Sequence, residues 1–351
     1  MRRRSRPRQS DVARLAGVSQ AAVSVVLNKR EGEAVRVSEE TRTRILEAVR
    51  ALGYVANPAA RSLAGGQNCL LGIFTYEAIF PLKYHDYYYP FLVGIEEEAE
   101  AQGYDLLLFT STSTDDGRRR IYHNNTNRLQ MADGAVLLGV SDDKGELAQL
   151  LHEGFPFVFV GRREAPGGEL SYAAADYAEA TAAVVEHMIA HGHRKIAYLG
   201  GVLPPEPSQD REQGYRLAHQ RLGLPLDPRH VLYIAADEEL TAERLRLFLE
   251  MGVTALVTEH QAFVVRLMEV AQELGLRIPR DLSLGLLNTK PPASIALDLT
   301  RFEIPMQEMG AQAVRLLTHM LANPDEPGPH RVTLPCTFVP GSTVIALPAP
   351  E

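Results

Sequence analysis

The stretch SDVARLAGVSQAAVSVVLN (residues 10–28) decides how this chain is read. Ser10 is placed to cap a helix, and Asp11 suits the positive end of its first turn. Val12, Leu15 and Ala16 recur at i, i+3 and i+4, the spacing of a helix face turned toward a core. Gly17 permits the backbone reversal that ends this helix. Ser19 then caps a second helix reaching Asn28. A third helix is predicted from Ser38, with Glu39 and Glu40 in its first turn, an apolar stripe of Ile45, Val49 and Leu52, and a stop at Gly53. Two helices joined by a glycine turn and braced by a third make a helix-turn-helix.

At 100° per residue, Val23, Val26 and Leu27 of the second helix fall on one side and face the core. Ala21, Val25 and Asn28 fall on the opposite side, with Gln20 and Ser24 on the flank. In a helix-turn-helix that outer face enters the major groove of DNA. The plainer alternative is a three-helix bundle whose outer face meets only water, since single exposed valines are common. Charge bears on the choice. Residues 1–66 hold 13 Lys and Arg against 6 Asp and Glu, a net +7, which leaves −15 for the rest of a chain whose net charge is −8. A basic head on an acidic body suits a head that meets a polyanion. The following segment, NPAARSLAGG (residues 57–66), has Asn57 as a cap, Pro58 at the first helical position and a Gly-Gly stop. It predicts a helix of about two turns, too short to be stable unaided and therefore conditional on a partner. Leu63 is a large apolar side chain there with no evident core of its own.

From residue 69 onward, apolar runs alternate with amphipathic segments. LLGIF, DLLLF, AVLLG, FVFVG, IAYLG, ALVT and LSLGLL read as strands, and residues 93–102, 177–191, 209–221, 262–274 and 305–322 as helices. The alternation predicts α/β sheets of parallel strands with helices on both faces. A body of this length divides into two lobes, and such sheets bind ligands beyond the carboxyl ends of their strands, so a cleft between the lobes is expected. The expected organisation is 1–56 as the DNA-binding domain, 57–68 as hinge helix and linker, and 69–351 as a two-lobed effector-binding and dimerisation domain. With 45% hydrophobic and 23% charged residues the chain reads as soluble and globular. Two cysteines, Cys69 and Cys336, build no disulfide framework and suit a reducing cytoplasm. No apolar run approaches a membrane span, and no h-region follows the basic N-terminus.

DVARLAGVS, VSVVLN and SEETRTRILEAVRALGYVANPAARSLA resemble the lactose-repressor/galactose-repressor (LacI/GalR) family of bacterial transcription regulators. DYAEATAAVVEHMIAHGHRKIAYLGG, LGLRIPRDLSLGLL and LTRFEIPMQEMGAQAVRLL extend the resemblance over nearly the whole chain. It implies a homodimer on a pseudo-palindromic double-stranded DNA operator, with paired hinge helices in the minor groove. It implies that Leu63 is the wedge opening the central base step, with Ala60 beside it, Arg61 near the backbone and Asn57 capping the segment. Ser19 and Ser24 match phosphate-contacting positions; Gln20, Ala21 and Val25 match base-reading ones. The chain departs from the family where threonine is usual at Ala22 and arginine at Val25. Arginine there would grip guanine, worth about 1–3 kcal/mol of discrimination. Valine can pack on a thymine methyl, or read nothing and leave specificity to Gln20, Asn28 and the hinge.

The resemblance also implies a fold like that of periplasmic sugar-binding proteins, two Rossmann-like lobes with crossing hinge strands and the effector between them. A sugar or glycoside is the commonest effector class. Arg211 matches a ligand-binding arginine, with a surface salt bridge as the alternative. Asn288 stands where an acid is usual, and its amide suits a polyol. Asp176 matches a cleft aspartate or caps a helix; His260 is a ligand group or a loop histidine. Tyr76, Tyr87 and Tyr88 lie near aromatic positions of the family and either stack on a sugar or pack internally. Ile304 replaces a frequent glutamine and Tyr177 a frequent asparagine. His187 and His191 stand one helical turn apart but lack a third metal ligand in sequence. YLGG and AGG form no nucleotide loop, and no catalytic constellation stands out, so neither enzyme activity nor a cofactor is expected. The rival reading is a sugar-binding receptor of the same lobe fold without DNA function.

Overall fold

The computed structural model describes residues 7–27, 37–54, 68–77, 85–110, 118–124, 126–202, 205–235, 237–289 and 297–347. They form two compact units, Met1–Leu70 and Leu71–Glu351.

The first unit consists of α1 (Gln9–Ala16), α2 (Gln20–Leu27) and α3 (Glu39–Leu52). Helix α1 starts one residue before the expected cap. Ser10 lies inside it, and the Asp11 carboxylate caps instead, accepting from the Arg8 N–H at 2.9 Å. Its buried residues are Val12, Ala13 and Ala16, while Leu15 is 56% exposed. On a helical wheel Val12, Ala16 and Ala13 span an arc of about 100°, and Leu15 falls outside it. The small Ala13 therefore turns inward where Leu15 was expected. Gly17 adopts φ 66° at the turn, and the Val18 N–H returns to the Ala13 carbonyl at 3.0 Å. Ser38 caps α3 through the Thr41 N–H. Val12, Val23, Val26 and Ile45 close a small core of their own.

The second unit runs β1 (Leu70–Phe74), α4 (His85–Ala101), β2 (Asp105–Leu108), the short β3 (Tyr122–His123) and β4 (Thr126–Asn127), β5 (Gly134–Leu138), α5 (Lys144–Glu153), β6 (Phe157–Val160) and β7 (Tyr172–Ala175). It continues with α6 (Tyr177–Ala190), β8 (Ile196–Gly201), α7 (Glu206–Arg221), β9 (Val231–Ile234), α8 (Ala242–Glu250), β10 (Ala255–Thr258), α9 (Gln261–Glu273), β11 (Ser283–Leu286) and β12 (Thr300–Glu303). Helix α10 (Met306–Ala322), β13 (Arg331–Leu334) and β14 (Thr337–Val339) complete it. One six-stranded sheet has the order β13-β7-β6-β5-β1-β2, the other β14-β12-β11-β10-β8-β9. The pairings β13–β7, β7–β6, β6–β5 and β5–β1 are parallel, as are β9–β8, β8–β10, β10–β11 and β11–β12; β14 runs antiparallel to β12, and the short β3 and β4 pair antiparallel with each other. Each sheet is the centre of one lobe.

The chain passes between lobes at Asp176 (from β7 to α6), at Ile304–Pro305 (from β12 to α10) and at Pro335–Cys336 (from β13 to β14). One apolar cluster spans these crossings, from Ile73, Val136 and Leu317 in lobe 1 to Val184, Tyr198 and Phe302 in lobe 2. Helices α4 and α10 meet through Gly94 and Gly310. A Cβ on Gly94 would overlap the Gln307 carbonyl, and one on Gly310 the Phe91 carbonyl. Among the described residues, no helix is long and apolar enough to cross a membrane.

Candidate DNA-reading helix and inter-lobe site

On α2, Ser19 Oγ accepts from the Ala22 N–H at 3.2 Å, which fixes the start of the helix. Ser19, Gln20 and Ala21 are exposed, Ser24 and Val25 half-buried, and Ala22, Val23 and Val26 buried. Burial of Ala22 gives a physical reason for its small size: a larger residue would push α2 off the core. The outward side of α2 carries no charge, whereas Arg44 and Arg50 on α3 are exposed. Asn28, Asn57, Ala60, Arg61 and Leu63 lie outside the described residues.

In the second unit, the segments after β5 and β6 of lobe 1 meet the start of α7, which follows β8 of lobe 2. They leave the carboxyl ends of their strands, where open α/β sheets bind ligands. Among the described residues, two ion pairs bridge the lobes. Arg162, after β6, donates Nε to both carboxylate oxygens of Asp210 on α7 (3.1 and 3.0 Å) and Nη2 to Oδ1 at 2.8 Å. Lys144, at the start of α5, reaches the buried Glu206 Oε1 at 2.7 Å, and the Glu164 N–H donates to the same oxygen at 3.2 Å. Burial alone would raise the Glu206 carboxyl. Lys144, a backbone N–H and Arg163 outweigh it and hold the pKa below the ordinary value.

Arg211, on α7, is 6% exposed. Its Nε donates to the Leu287 carbonyl at 2.8 Å and Nη1 to the Pro207 carbonyl at 2.9 Å. Its guanidinium lies 3.8 Å from the Tyr177 ring centroid and 3.7 Å from Glu259 Oε2. Burial opposes its charge, but Tyr177, Glu259 and Tyr198 more than offset this and raise its pKa. Glu259, itself 5% exposed, also accepts from Ser208 Oγ at 2.7 Å. Burial pushes the Tyr177 hydroxyl up to about 12 and, at the crossing beside it, the Cys336 thiol up to about 12.

His260 stands over Gly201, with its Nε2 3.6 Å from Glu259 Oε1. His260 is an exposed loop residue, its side chain 45% exposed; the burial it has lowers its pKa despite Glu259, with Arg211 adding to the fall. The Asn288 amide braces its loop: Nδ2 donates to the Glu259 carbonyl at 3.1 Å, and Oδ1 accepts from the Thr289 N–H at 2.8 Å. Asp176 caps α6, accepting from the Glu179 N–H at 3.0 Å. The three tyrosines part company. Tyr76 is 2% exposed and packs edge-on against Phe74 in the lobe 1 core. Tyr88 is 1% exposed and donates to Glu77 Oε2 at 2.8 Å. Tyr87 alone keeps substantial exposure, 38%, resting edge-on against Tyr88 and Phe91. Burial raises its hydroxyl pKa, while the Arg163 and Arg211 cations pull it back.

Glu77, Arg163 and Glu259 carry no motif and were not foreseen. The Glu77 carboxylate accepts from the Ser141 N–H. Arg163 donates to the Gly139 carbonyl at 2.8 Å and approaches Asp142 Oδ2 at 3.0 Å as an ion pair without hydrogen-bond alignment. The only sequence signal for these three was their position just past apolar strands.

Comparison with known proteins bears on both regions. Residues 10–57 match the profile of bacterial regulatory proteins, lacI family, and residues 185–344 that of the periplasmic binding protein-like domain. The chain is 28% identical to catabolite control protein A of Priestia megaterium over 312 residues, 88% of this chain and 90% of that one. It is 29% identical to the HTH-type transcriptional regulator CelR of Thermobifida fusca over 325 residues, covering 90% and 92% respectively. Among solved structures, a CelR–cellobiose complex superposes with a TM-score of 0.65 at 24% identity, over 96% of this chain and all of that one. The lac repressor dimer bound to operator and the anti-inducer ONPF superposes with a TM-score of 0.66 at 22% identity, over 97% of this chain and all of that one. The chain thus joins a lacI-family helix-turn-helix domain to a periplasmic-binding-protein-like domain, and the relatives it matches along nearly its whole length are DNA-binding transcriptional regulators.

Proposed function

We propose that this chain is a homodimeric, sequence-specific repressor whose affinity for a pseudo-palindromic operator is set by a small neutral ligand, a sugar or glycoside, held between its lobes. The observation that carries the reading is the inter-lobe site. Tyr87 offers an aromatic face and a hydroxyl, His260 an exposed imidazole, and Arg211 the edge of a buried guanidinium. Each cation there already has an acidic neighbour: Glu259 beside Arg211, Asp142 beside Arg163 and Asp210 beside Arg162. A site so neutralised suits an uncharged polyol better than an anion, because an anion would compete with carboxylates already in place. The relative whose solved complex holds cellobiose supports the same ligand class.

On this reading Tyr87, Arg211, His260 and Asn288 meet the ligand, while Tyr76, Tyr88 and Asp176 shape its surroundings. Gln20, Ala21, Val25 and Asn28 meet bases, Ser19 and Ser24 meet phosphates, and Asn57, Ala60, Arg61 and Leu63 act at the operator centre. Ligand and operator couple because both bias the same lobe arrangement. The test is thermal-shift screening of the full chain against a panel of mono- and disaccharides, followed by operator binding with and without each hit. Ligand at 100 times its Kd adds about 2.7 kcal/mol of stability. Deleting residues 1–66 should abolish operator binding and leave ligand binding intact. Retained specific DNA affinity in the truncated chain refutes the assignment of the head.

A further inference from the structure

We propose that His319, Glu326 and His330 form a binding site for a divalent transition-metal ion of the zinc class, at the end of lobe 1 opposite the inter-lobe cleft. Two imidazole nitrogens and a carboxylate oxygen, one from each residue, lie within 4.8 Å of one another. His319 is on the last turn of α10, Glu326 in the loop that follows, and His330 immediately before β13. No sequence motif joins them; the turn between α10 and β13 does.

Each ligand stands on a fixed backbone. The Glu326 N–H returns to the Asn323 carbonyl at 3.1 Å, closing the loop. The His330 N–H donates to Ser171 Oγ at 3.0 Å, and its carbonyl accepts from the Tyr172 N–H at 3.1 Å. His319 Nε2 is 2.8 Å from Glu326 Oε2, and the rings of His319 and His330 stand edge-to-face with centroids 5.3 Å apart. Metal–ligand bonds of about 2.0–2.2 Å place tetrahedral ligands about 3.3–3.5 Å apart. Small side-chain rotations would therefore bring all three onto one ion. Two nitrogens and one oxygen select zinc, nickel or copper over magnesium or calcium, which prefer all-oxygen sites.

A further feature fits an ion. Glu326 and His330 also border a depression of about 510 Å³ that reaches Phe155, Ser171 and Pro324, leaving room for a water at a further coordination position. By contrast, the His187–His191 pair spends a ring nitrogen on its own helix: His191 Nδ1 bonds the His187 carbonyl at 2.8 Å. Among the described residues, no acid or cysteine joins that pair within metal-binding reach.

Strand β13 runs parallel to β7, β6, β5 and β1, so His330, at its start, lies at the end away from the cleft. An ion there would staple α10 to the edge strand without competing for the effector.

The test uses chelator-treated, tag-free full-length protein titrated with Zn²⁺ by calorimetry and with Co²⁺ by visible absorption. One ion per chain is expected, with a Co²⁺ d–d spectrum showing nitrogen ligation. His319→Ala and His330→Ala should each weaken Zn²⁺ binding by more than about tenfold, and Glu326→Gln should weaken it while circular dichroism confirms the fold. His187→Ala/His191→Ala should bind Zn²⁺ as the parent does. No Zn²⁺ binding tighter than millimolar in the parent overturns the proposal. So does undiminished binding in His319→Ala and His330→Ala, or loss of binding only in the His187/His191 variant.

Discussion

Removing the Arg162 side chain should open the cleft. Arg162 makes three bonds to Asp210 from a position 25% exposed, against a carboxylate 20% exposed. Charge-assisted bidentate bonds with limited solvent access contribute about 1.5–3 kcal/mol. The other partners change this little: the Glu206 carbonyl is at 3.3 Å, and Glu164 is an exposed acid. Taking about 2 kcal/mol, Arg162→Ala shifts the ratio of closed to open lobes about thirtyfold, and Arg162→Asp, which adds repulsion, shifts it further. The remaining bridge, Lys144–Glu206, is weakened by the 52% exposure of the lysine. Nitroxide labels at exposed Met131 in lobe 1 and Leu247 in lobe 2 would report the inter-lobe distance by pulsed dipolar spectroscopy. One short distance is expected in the parent, a second longer one in Arg162→Asp, and return to the short one in Arg162→Asp/Asp210→Arg. An unchanged distribution in Arg162→Asp refutes the idea that this pair holds the lobes. Failure of the reversed pair to restore closure shows that Arg162 acts through other partners.

The same device predicts a pH response: Glu206 has a depressed pKa, so its contribution to closure is full above the ordinary glutamate value of 4.5 and is lost as pH falls through the lowered one; the labelled parent should therefore open in acid, and an acid-insensitive distance would contradict this. Arg211→Met leaves the buried Glu259 without its cation and removes the side-chain donor to the Leu287 carbonyl, costing about 3–5 kcal/mol in urea unfolding, and Arg211→Met/Glu259→Gln should regain much of that. Gly94→Ala drives a methyl into the Gln307 carbonyl where α4 meets α10, costing at least about 1–3 kcal/mol by thermal unfolding; a neutral variant would mean that the helices are not in this contact. Val25→Arg should add a guanine preference of about 1–3 kcal/mol at one half-site position in a randomised binding selection, and unchanged selection would remove Val25 from the DNA-facing set.

Much of the fold was readable because burial on both faces of a parallel sheet demands continuous apolar runs. LLGIF, FVFVG and ALVT announced β1, β6 and β10 in this way. What escaped shows where local pattern and tertiary demand diverge. Strand β7 is YAAA, and alanine has the highest helix propensity; only its place between β6 and β13 makes it extended. Helix α4 was expected from residue 93 but begins at His85, because Pro90 suggests a break that the helix in fact accommodates. Strands β13 and β14 are short, partly exposed and close to the crossing at Pro335–Cys336, so neither periodicity nor length marks them.

The site was less readable than the fold, for a reason its geometry makes plain. Arg211 and His260 could be singled out because they sit in recognisable local contexts. Glu77, Arg163 and Glu259 could not, because each follows a different strand and no motif links positions spread over 182 residues of sequence. The same physics limits what α2 can say about its partner. Its caps and inner face determine that a helix stands there, while its outer face of alanine, serine and valine carries no charge with which to grip phosphate. Attraction to DNA must then come from the basic residues around α2 and discrimination from α2 itself. The two should separate on titration with salt: affinity falls steeply with ionic strength, and the ranking of half-sites stays the same. If the ranking changed with salt, the neutral face of α2 would not be what distinguishes one base from another.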